Sequence, residues 1–565
     1  MAAEAPAVTG AGTVKSASQI VLLTLAAGQF VMTLDSSVMN VSIAQVAEDV
    51  GTTVTGIQTA ITMYTLVMAA LMITGAKIGA MIGRKRAFTI GCVIYGCGSF
   101  TTAISPYFGD ASYGVLLFGW SFLEGVGAAL ILPAIVALVA ANFAKERRPA
   151  AYGMVAAAGA VAVAVGPLIG GFCTTYFSWQ WVFAGEVVIV IAILFLARRM
   201  ADAPPGVPPK LDYVGVVLSA AGLGLLVFGV LKTGTWGWIQ PKEGQPSWAN
   251  ISVSFWLILA GLFVIWVFFR WQNRLERTGK EPLVRAGMLR NRQLTGGLIM
   301  FFFQFLVQAG FFFVVPLFLS ICLGLSALET GARLLPLSIT LLLAAIGIPK
   351  VWADASPRRV VRIGLLAMLA GTIWMLAGLD ADAGAEIVFV PLLLIGLGIG
   401  ALASQLGAVT VSAVPDDQAP EVGGLQNTMT NLGASMGTAL AGSLLFATLT
   451  TSFIANIQNN PDIPNRVKNQ ATTQLTGGIP FISDADLEQA LDDAHLRNKT
   501  TDAAIASYQD ARLDGLRAAL GILAVMAIVA LLLAGRIPIV QPGKESPERD
   551  RAGPGDLEPE PDTFI

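Results

Sequence analysis

Three carboxylic acids interrupt long apolar stretches of this 565-residue chain: Asp35, Glu124 and Glu186. A charged side chain near the centre of a bilayer costs ~2.5–3.5 kcal/mol on insertion scales, so such residues are usually functional or paired. Removal from water favours the neutral form of a carboxyl group, which reversible proton binding requires. No Lys or Arg stands in the middle of an apolar stretch to pair with the acids. They are therefore candidates for binding protons or a cationic ligand.

Amide side chains form a second set of candidate residues. Gln304 and Gln308 lie one helical turn apart among phenylalanines, and Asn427 and Asn431 repeat that spacing. Residues four apart share one face of a helix. Such pairs favour either hydrogen bonds between helices or the wall of a cavity for an amphipathic molecule. The candidate cavity residues are Met39, Gln304, Gln308, Gln426, Asn427 and Asn431.

Residue types that covalent or metal chemistry needs are scarce. The only histidine, His495, lies in a polar stretch, and the four cysteines are scattered at Cys92, Cys97, Cys173 and Cys322. These positions form no metal-ligand spacing, no disulfide framework and no pairing of a nucleophile with a base. We therefore expect no enzyme activity, no cofactor and no metal site.

The elements that carry these residues are predicted to be membrane-spanning helices. Hydrophobic residues make up 55% of the chain and charged residues only 13%, against about 25% charged residues in soluble domains. Crossing ~30 Å of hydrocarbon takes about 20 apolar residues in a helix, whereas barrel strands are shorter and alternate in polarity. Fourteen runs qualify: 18–42, 56–78, 86–105, 112–142, 150–173, 180–199, 213–232, 251–271, 294–320, 330–350, 361–379, 386–413, 423–449 and 514–535.

Basic residues in alternate connections predict the orientation of these spans. They collect near 84–86, 145–148, 198–210, 270–292 and 350–362. Lys242 is an exception on the other side, and the connection 415–421 is acidic. The bias predicts that both termini lie in the cytoplasm.

Two polar segments lie outside the spans. Segment 450–513 is predicted to be extracytoplasmic, and Ser483 with Asp486 resembles a helix-start capping pair. A second helix is predicted from about Thr501 into the last span. We expect amphipathic helices packed on the outer face, with a partner-docking module as the alternative. The tail 536–565 is rich in Pro, Glu and Asp, so we expect it to be disordered.

Three motifs carry a resemblance to a known family. Segment 34–41, Leu-Asp-Ser-Ser-Val-Met-Asn-Val, places an acid five residues before an Asn. Segment 79–86, Gly-Ala-Met-Ile-Gly-Arg-Lys-Arg, is a basic loop, and segment 159–171 is rich in Gly and Pro before Trp-Gln-Trp-Val-Phe at 179–183. With the fourteen spans, these motifs resemble the major facilitator superfamily, in particular its 14-helix drug:proton antiporters, over nearly all of residues 18–535.

The resemblance implies the fold and a set of gating residues. The expected fold is all-α, with two six-helix bundles around a central cavity plus two additional helices. Small residues and proline in the fifth span let a partner helix pack closely and slide. The implied gating residues are Arg84, Lys85, Arg86, Gly166, Pro167, Gly170 and Gly171.

Two positions depart from the family pattern. The acid of the basic loop would fall on Ala80, and alanine cannot form a charge latch. The arginine of the fourth span would fall near Ser121, and serine cannot tune a neighbouring carboxylate as a cation does. Two charged residues of the family's proton relay and latch therefore have no counterpart at Ala80 and Ser121.

The resulting domain prediction follows the chain from a cytoplasmic tail to a cytoplasmic tail. Its units are the tail 1–17, a first bundle 18–200, two additional helices with a basic connector 201–293, helices 9–13 of the second bundle 294–449, the outer loop 450–513, a last helix 514–535 and the tail 536–565.

The resemblance implies multidrug efflux and antibiotic resistance, as proton-coupled antiport across the bacterial cytoplasmic membrane. Asp35 would lead in coupling, with Glu124 as its relay partner and Glu186 as a further candidate. Expected partners are an amphipathic small molecule, protons and lipid, without nucleic acid, for a monomer. The alternatives are a lipid or metabolite exporter, or a membrane receptor or scaffold that uses 450–513.

Overall fold

The computed structural model describes most of the chain. The described residues are 11–143, 148–202, 210–242, 244–352, 354–415, 418–461, 463–465, 468, 479–493 and 498–541. His495, most of the N-terminal tail and the C-terminal tail beyond 541 lie outside them, as do parts of the outer loop.

Apolar sequence forms long helices throughout the first half of the chain. The helix Arg148–Tyr176 bends by 41° between Val163 and Val165. The bend lies close to Pro167, and a proline interrupts the hydrogen bonds of a helix backbone. The helices are α1 (Ala11–Val41), α2 (Ile43–Asp49), α3 (Val54–Ile82), α4 (Arg84–Ile104), α5 (Ser112–Leu116), a π-helical segment (Leu117–Glu124), α6 (Gly125–Asn142), α7 (Arg148–Tyr176) and α8 (Gln180–Ala197).

The second half repeats this pattern after an additional hairpin of helices. A two-stranded antiparallel ribbon, β1 (Ser247–Trp248) with β2 (Ile251–Ser252), joins the two helices of that hairpin. The helices are α9 (Tyr213–Trp236), α10 (Val253–Arg277), α11 (Arg292–Leu317) with a π-helical end (Phe318–Cys322), α12 (Ala327–Val351), α13 (Pro357–Gly378), α14 (Phe389–Val411), α15 (Ala419–Asn459), α16 (Asp484–Asp493) and α17 (Asn498–Leu533).

The described residues contain fourteen helices that can cross a membrane. Twelve apolar helical segments pass on length and hydropathy, and the bent α7 adds one more. One of the twelve, Arg84–Val139, has 56 residues, or ~84 Å of helix against ~30 Å of hydrocarbon. Its backbone breaks at Gly109 (φ 57°, ψ −126°), and α4 packs against α6, so this segment crosses twice. The predicted number of spans is confirmed.

The helices assemble as two bundles and a hairpin, as the fold prediction states. In the first bundle α1 packs on α7 and α8, and α4 packs on α6 and α8; in the second, α14 packs on α12 and α13, and α15 packs on α11 and α17. The bundles meet where α3 lies along α15 and where α7 lies along α12. The hairpin packs through α9 against both α3 and α15.

The connections divide into two sides. We call the side where α3 ends and α4 begins the basic side, and the side where α4 ends the far side. Lys242, the basic exception on the far side, donates from Nζ to the carbonyl of Gly234 at 2.8 Å, near the C-terminal end of α9. Partial burial lowers the pKa of Lys242. Its positive charge therefore lies at the C-terminal end of α9, where the helix dipole favours a cation.

The outer loop forms helices against the far side, in line with the sequence pattern. Ser483 Oγ accepts from Asp486 N at 3.2 Å and Asp486 accepts from Ser483 N at 3.3 Å, which confirms the predicted capping pair. The buried Arg512 forms an ion pair with Asp484. Helix α17 then continues without a break into the last span. The described part of the outer loop is thereby held against the second bundle.

Candidate functional site

The three acids predicted from the sequence meet inside the first bundle. Asp35 comes from α1, Glu124 from the end of the π-helical segment and Glu186 from α8. All three side chains are at most 1% exposed, and one oxygen of each lies within 4.8 Å of the others. Asp35 and Glu186 each stand six residues, ~9 Å, from the far-side ends of their helices. The cluster therefore lies closer to the far side than to the basic side.

Two glycines let α4 approach the π-helical segment closely enough to place Glu124 in the cluster. A Cβ atom at Gly98 would lie 2.6 Å from Glu124 Cγ, and one at Gly119 would lie 2.9 Å from the backbone nitrogen of Thr102. Real side chains do not pack at such distances, so both positions require glycine. π-Helical turns are often found at functional sites, and here such a turn ends at the acid itself.

Aromatic side chains hold Asp35. Trp120 Nε1 donates to Asp35 Oδ1 at 2.8 Å. The ring of Tyr64, from α3, stacks on the indole of Trp120 with centroids 5.2 Å apart and an interplanar angle of 12°. The stack is almost completely buried, so it orients the carboxyl group and shields it from water.

Hydroxyl groups on one face of α4 hold the two glutamates. Thr102 Oγ1 donates to Glu124 Oε1 at 3.2 Å. Tyr95 OH and Ser99 Oγ each donate to Glu186 Oε2 at 3.1 Å. Helix α4 therefore supplies all three hydroxyl donors to the two glutamates, because these positions repeat at helical spacing.

Each acid also has one buried oxygen without a hydrogen-bond partner among the described residues. These atoms are Asp35 Oδ2, Glu124 Oε2 and Glu186 Oε1, and the hydroxyl of Tyr64 shares this property. No salt bridge reaches the cluster from the described part of the chain. Three like charges so close together cannot all ionise in a buried site. The cluster is therefore built to hold protons or a cation.

The same oxygens would also suit a hard metal cation, which prefers oxygen ligands. The absence of a metal site therefore stays a prediction from the sequence.

The predicted cavity residues other than Met39 lie on α11 and α15 of the second bundle. Gln304 is buried and Gln308 half-buried on α11, each with its carbonyl oxygen unpartnered. On α15, Asn427 donates to the carbonyl of Gly423 at 3.0 Å, and Asn431 donates to that of Asn427 at 2.9 Å. Among the described residues, the two glutamine oxygens therefore accept no hydrogen bond, whereas the two asparagines bond their own helix.

The two remaining cavity candidates face other surroundings. Gln426 donates to the hydroxyl of Thr410 on α14. Met39 is buried in the apolar core at 1% exposure. Both side chains therefore contact protein in this structure.

The Gly- and Pro-rich motif of α7 forms contacts on two faces. A Cβ atom at Gly166 would lie 2.5 Å from Ser37 Cβ, and one at Gly170 would lie 3.0 Å from Val38 Cα, both on α1. Gly171 lies against the backbone of Ala327 on α12. The motif thus brings α7 close to its own bundle and to the opposite bundle.

Pro167 changes the hydrogen bonding of the backbone where the two bundles meet. Its missing N–H frees the carbonyl of Val163, four residues earlier. That carbonyl accepts instead from Ser338 Oγ of α12 at 3.3 Å, and Gly331 of α12 packs on the backbone of Pro167. A polar group freed in one bundle is therefore satisfied by the other.

The basic loop is tied to its own bundle. Arg84 Nη1 donates to the carbonyl of Ala76 at 2.7 Å. Lys85 Nζ donates to the carbonyls of Arg198 and Met200 at 3.0 and 2.7 Å. Arg86 is exposed.

The acid missing at Ala80 has a substitute elsewhere in the chain. Asp202 Oδ1, from the connection after α8, accepts from the backbone N–H of Lys85 at 3.0 Å. It thus caps α4, where the helix dipole favours an anion. Ala80 instead lines a cavity of about 220 Å³ on the basic side, together with Arg285 and Glu421. Asp202 could not be recognised from the motif alone, because it lies 117 residues from Lys85 in sequence.

Sequence reasoning also missed the donors around the acids. Ser121, the position of the family's arginine, donates to the carbonyl of Ala60 on α3 at 2.9 Å, while its neighbour Trp120 faces Asp35. The spacing of Tyr95, Ser99 and Thr102 on one face of an apolar span was the available signal. Single hydroxyls in such spans usually bond their own backbone, so each residue alone carries little information.

Comparison with known proteins agrees with the fold. The family model described as Major Facilitator Superfamily matches residues 25–212 and 211–438. A probable actinorhodin transporter of Streptomyces coelicolor is 30% identical over 75% of this chain and 72% of its own length. The multidrug efflux pump LfrA of Mycolicibacterium smegmatis is 26% identical, over 83% and 88%. A tetracenomycin C resistance and export protein of Streptomyces glaucescens is 26% identical, over 75% of each.

Solved structures show the same architecture at low sequence identity. A peptide transporter in complex with sulfate superimposes with a TM-score of 0.55 at 14% identity, covering 92% of this chain and 96% of that one. A D-xylose-proton symporter gives a TM-score of 0.54 at 11% identity, covering 75% and 90%. The two bundles, the span count and the family match lead to one conclusion: this chain belongs to the Major Facilitator Superfamily of membrane transporters.

Proposed function

We propose that this transporter exports hydrophobic or amphipathic small molecules in exchange for protons. The observation that carries the proposal is the buried cluster of Asp35, Glu124 and Glu186, which has three carboxyl groups and no basic partner among the described residues. Relatives named as antibiotic and multidrug export proteins support the direction and the substrate class.

The chemistry of the cluster suits coupling. Each acid has one oxygen held by donors and one oxygen free, so a proton can be added without breaking the existing hydrogen bonds. Protonation removes charge repulsion within the cluster, and deprotonation restores it. A conformational change that exposes the cluster to water on one side at a time would then move protons across the membrane.

The contacts between the two bundles suit such a conformational change, because they are closed on one side of the protein and leave a cavity on the other. Close contacts of α7 with α12 run from Ser338 to Leu328, whose N–H donates to Thr175 Oγ1 at 3.1 Å on the far side. On the basic side, a cavity lies between α3 and α15. In this proposal the two bundles rock about a site that lies between them. Gln304 and Gln308 contact the substrate at that site. The Gly- and Pro-rich motif of α7 is the surface that slides against α12.

Positive loops support the proposed orientation. With the basic side in the cytoplasm, both termini are cytoplasmic, the far side faces outward and segment 450–513 is extracytoplasmic. We propose that the protein lies in the bacterial cytoplasmic membrane and works as a monomer. We also propose the domain bounds that the sequence predicts.

Transport by everted membrane vesicles tests the function. Acidifying the vesicle lumen should drive accumulation of a fluorescent amphiphilic dye in vesicles that contain the wild-type protein. Asp35→Asn should lose this gradient-driven uptake, because its amide cannot bind and release a proton. Asp382→Asn, in an exposed turn on the far side, is the matched control and should transport normally.

Two outcomes would contradict the proposal. Wild-type vesicles that accumulate no amphiphile under any gradient would favour a receptor or scaffold. Vesicles that accumulate only lipid analogues would favour a lipid exporter of the same fold.

A further inference from the structure

Helix α4 and the residue that follows it, Ser105, carry a line of buried hydroxyl groups that begins at the acid cluster and runs toward the far side. Its members are Tyr95, Ser99, Thr102 and Ser105, all completely buried. They are spaced four, three and three residues apart, so they follow one face of the helix over ten residues, ~15 Å. We call this set the hydroxyl line.

The lower members contact the acids directly. Tyr95 and Ser99 donate to Glu186, and Thr102 donates to Glu124. Thr102 is also bonded to the next member, because Ser105 Oγ donates to its backbone carbonyl at 2.8 Å. Contacts therefore run from the acids through Thr102 to Ser105.

The upper end of the line reaches solvent. Ser105 is the last fully buried residue before the exposed turn 107–111, in which Tyr107 is 81% exposed. On the far side, only Pro106 separates the line from water. The hydroxyl line therefore extends from the carboxyl oxygens of the cluster to within two residues of the exposed turn on the far side.

The opposite face of α4 shows what a hydroxyl group does when it serves only its own helix. Thr101 is adjacent to Thr102 in sequence, but it lies on the other face and is not buried. Its Oγ1 donates only to the carbonyl of Cys97, four residues earlier, at 2.8 Å. This is the ordinary behaviour of threonine in a helix, whereas Thr102 also reaches a carboxyl group.

We propose that the hydroxyl line conducts protons between the far side and the acid cluster. This inference rests on the proposed function, because it assigns a route to the protons that the cluster exchanges. Export by antiport requires protons to enter from the side to which substrate leaves, and the line opens on that side.

The proton transfer balances at each step. A hydroxyl oxygen accepts one proton from the far side and releases its own proton toward the acid cluster, so the hydroxyl group returns to its neutral state. Side chains one turn apart have Cβ atoms ~5–6 Å from each other, a gap that one bridging water spans with two hydrogen bonds. The transferred proton ends on the ionised oxygen of Glu124 or Glu186, and no oxidant or reductant takes part.

The test measures the rate of proton entry from the far side. Purified protein in liposomes of defined orientation, with a pH-sensitive dye in the lumen, receives an external acid jump in the presence of a saturating amphiphilic dye. The double variant Thr102→Val with Ser105→Ala should exchange protons about tenfold more slowly, a barrier increase of ~1.4 kcal/mol. Thr101→Val should match wild type.

The readouts separate a conducting role from a structural one. In the double variant, equilibrium dye binding should stay at the wild-type level, and Thr102→Ser, which keeps the hydroxyl, should restore the rate. Equal rates in the double variant and Thr101→Val would overturn the hydroxyl line. Loss of dye binding in the double variant, or failure of Thr102→Ser to restore the rate, would overturn it as well.

The same preparation distinguishes this failure from failure of the proposed function. If Asp35→Asn abolishes coupled exchange while the double variant behaves as wild type, protons reach the cluster by another route. If Asp35→Asn exchanges protons as wild type does, the cluster itself is not the coupling site.

Discussion

At the scale of single residues, the site depends on contacts that leave no room for change. Glu124 reaches the cluster because α4 has no side chain at Gly98, and Asp35 keeps its orientation because Trp120 donates to it. The chemistry of the acids therefore depends on neighbours that carry no charge themselves.

We predict that Gly98→Ala destabilises the protein and displaces Glu124. A Cβ atom at this position would lie 2.6 Å from Glu124 Cγ and 2.8 Å from the backbone nitrogen of the same residue. Overpacking of this kind costs ~1–3 kcal/mol. The melting temperature in detergent and gradient-driven transport should both fall.

Gly114→Ala is the matched control. A Cβ atom there meets nothing within 4 Å, and alanine favours a helix over glycine by about 1 kcal/mol. This variant should be as stable as wild type or more so. Equal melting temperatures for the two variants would contradict the role assigned to Gly98.

At the scale of elements, the contact between α7 and α12 joins the bundles through groups that proline made available. Pro167 frees the carbonyl of Val163, and Ser338 satisfies it across the interface. Such a bond belongs to one arrangement of the bundles, because it breaks when the helices slide.

We predict that Ser338→Ala weakens the arrangement seen here. Hydrogen bonds between membrane helices contribute ~0.6–1.7 kcal/mol, and the carbonyl of Val163 would lose the hydroxyl that donates to it. Cysteines introduced at Thr175 and Leu328, in a background without the native cysteines, should then form a disulfide more slowly. Ser320→Ala removes a hydroxyl that bonds its own helix at Pro316 and should leave this rate unchanged; a slower rate there as well would contradict the prediction.

At the scale of the whole molecule, hydropathy was enough to predict the spans. The runs are long and continuous, and each needs only its own composition to be recognised. Boundaries were less accurate: the predicted thirteenth span ends at 449, whereas α15 continues to Asn459. Hydropathy identifies the apolar part of a helix, but it does not show that the helix continues through polar residues beyond the bilayer.

The site was predictable in part, for a physical reason. The acids stand out because charge in an apolar span is costly, so each could be found alone. The donors Tyr95, Ser99 and Thr102 could not, because their role depends on which helix lies opposite. Asp202 lies far from Lys85 in sequence, and only the packing of α8 beside α4 brings the two together.

The central claim is that the cluster of Asp35, Glu124 and Glu186 exchanges protons as substrate binds. The most direct measurement is proton release from purified protein in weakly buffered detergent when an amphiphilic substrate is added. Wild type should release protons, Asp35→Asn should release none, and Glu124→Gln and Glu186→Gln should each release fewer than wild type. Release at the wild-type level from all three variants, with substrate binding intact, would contradict the account.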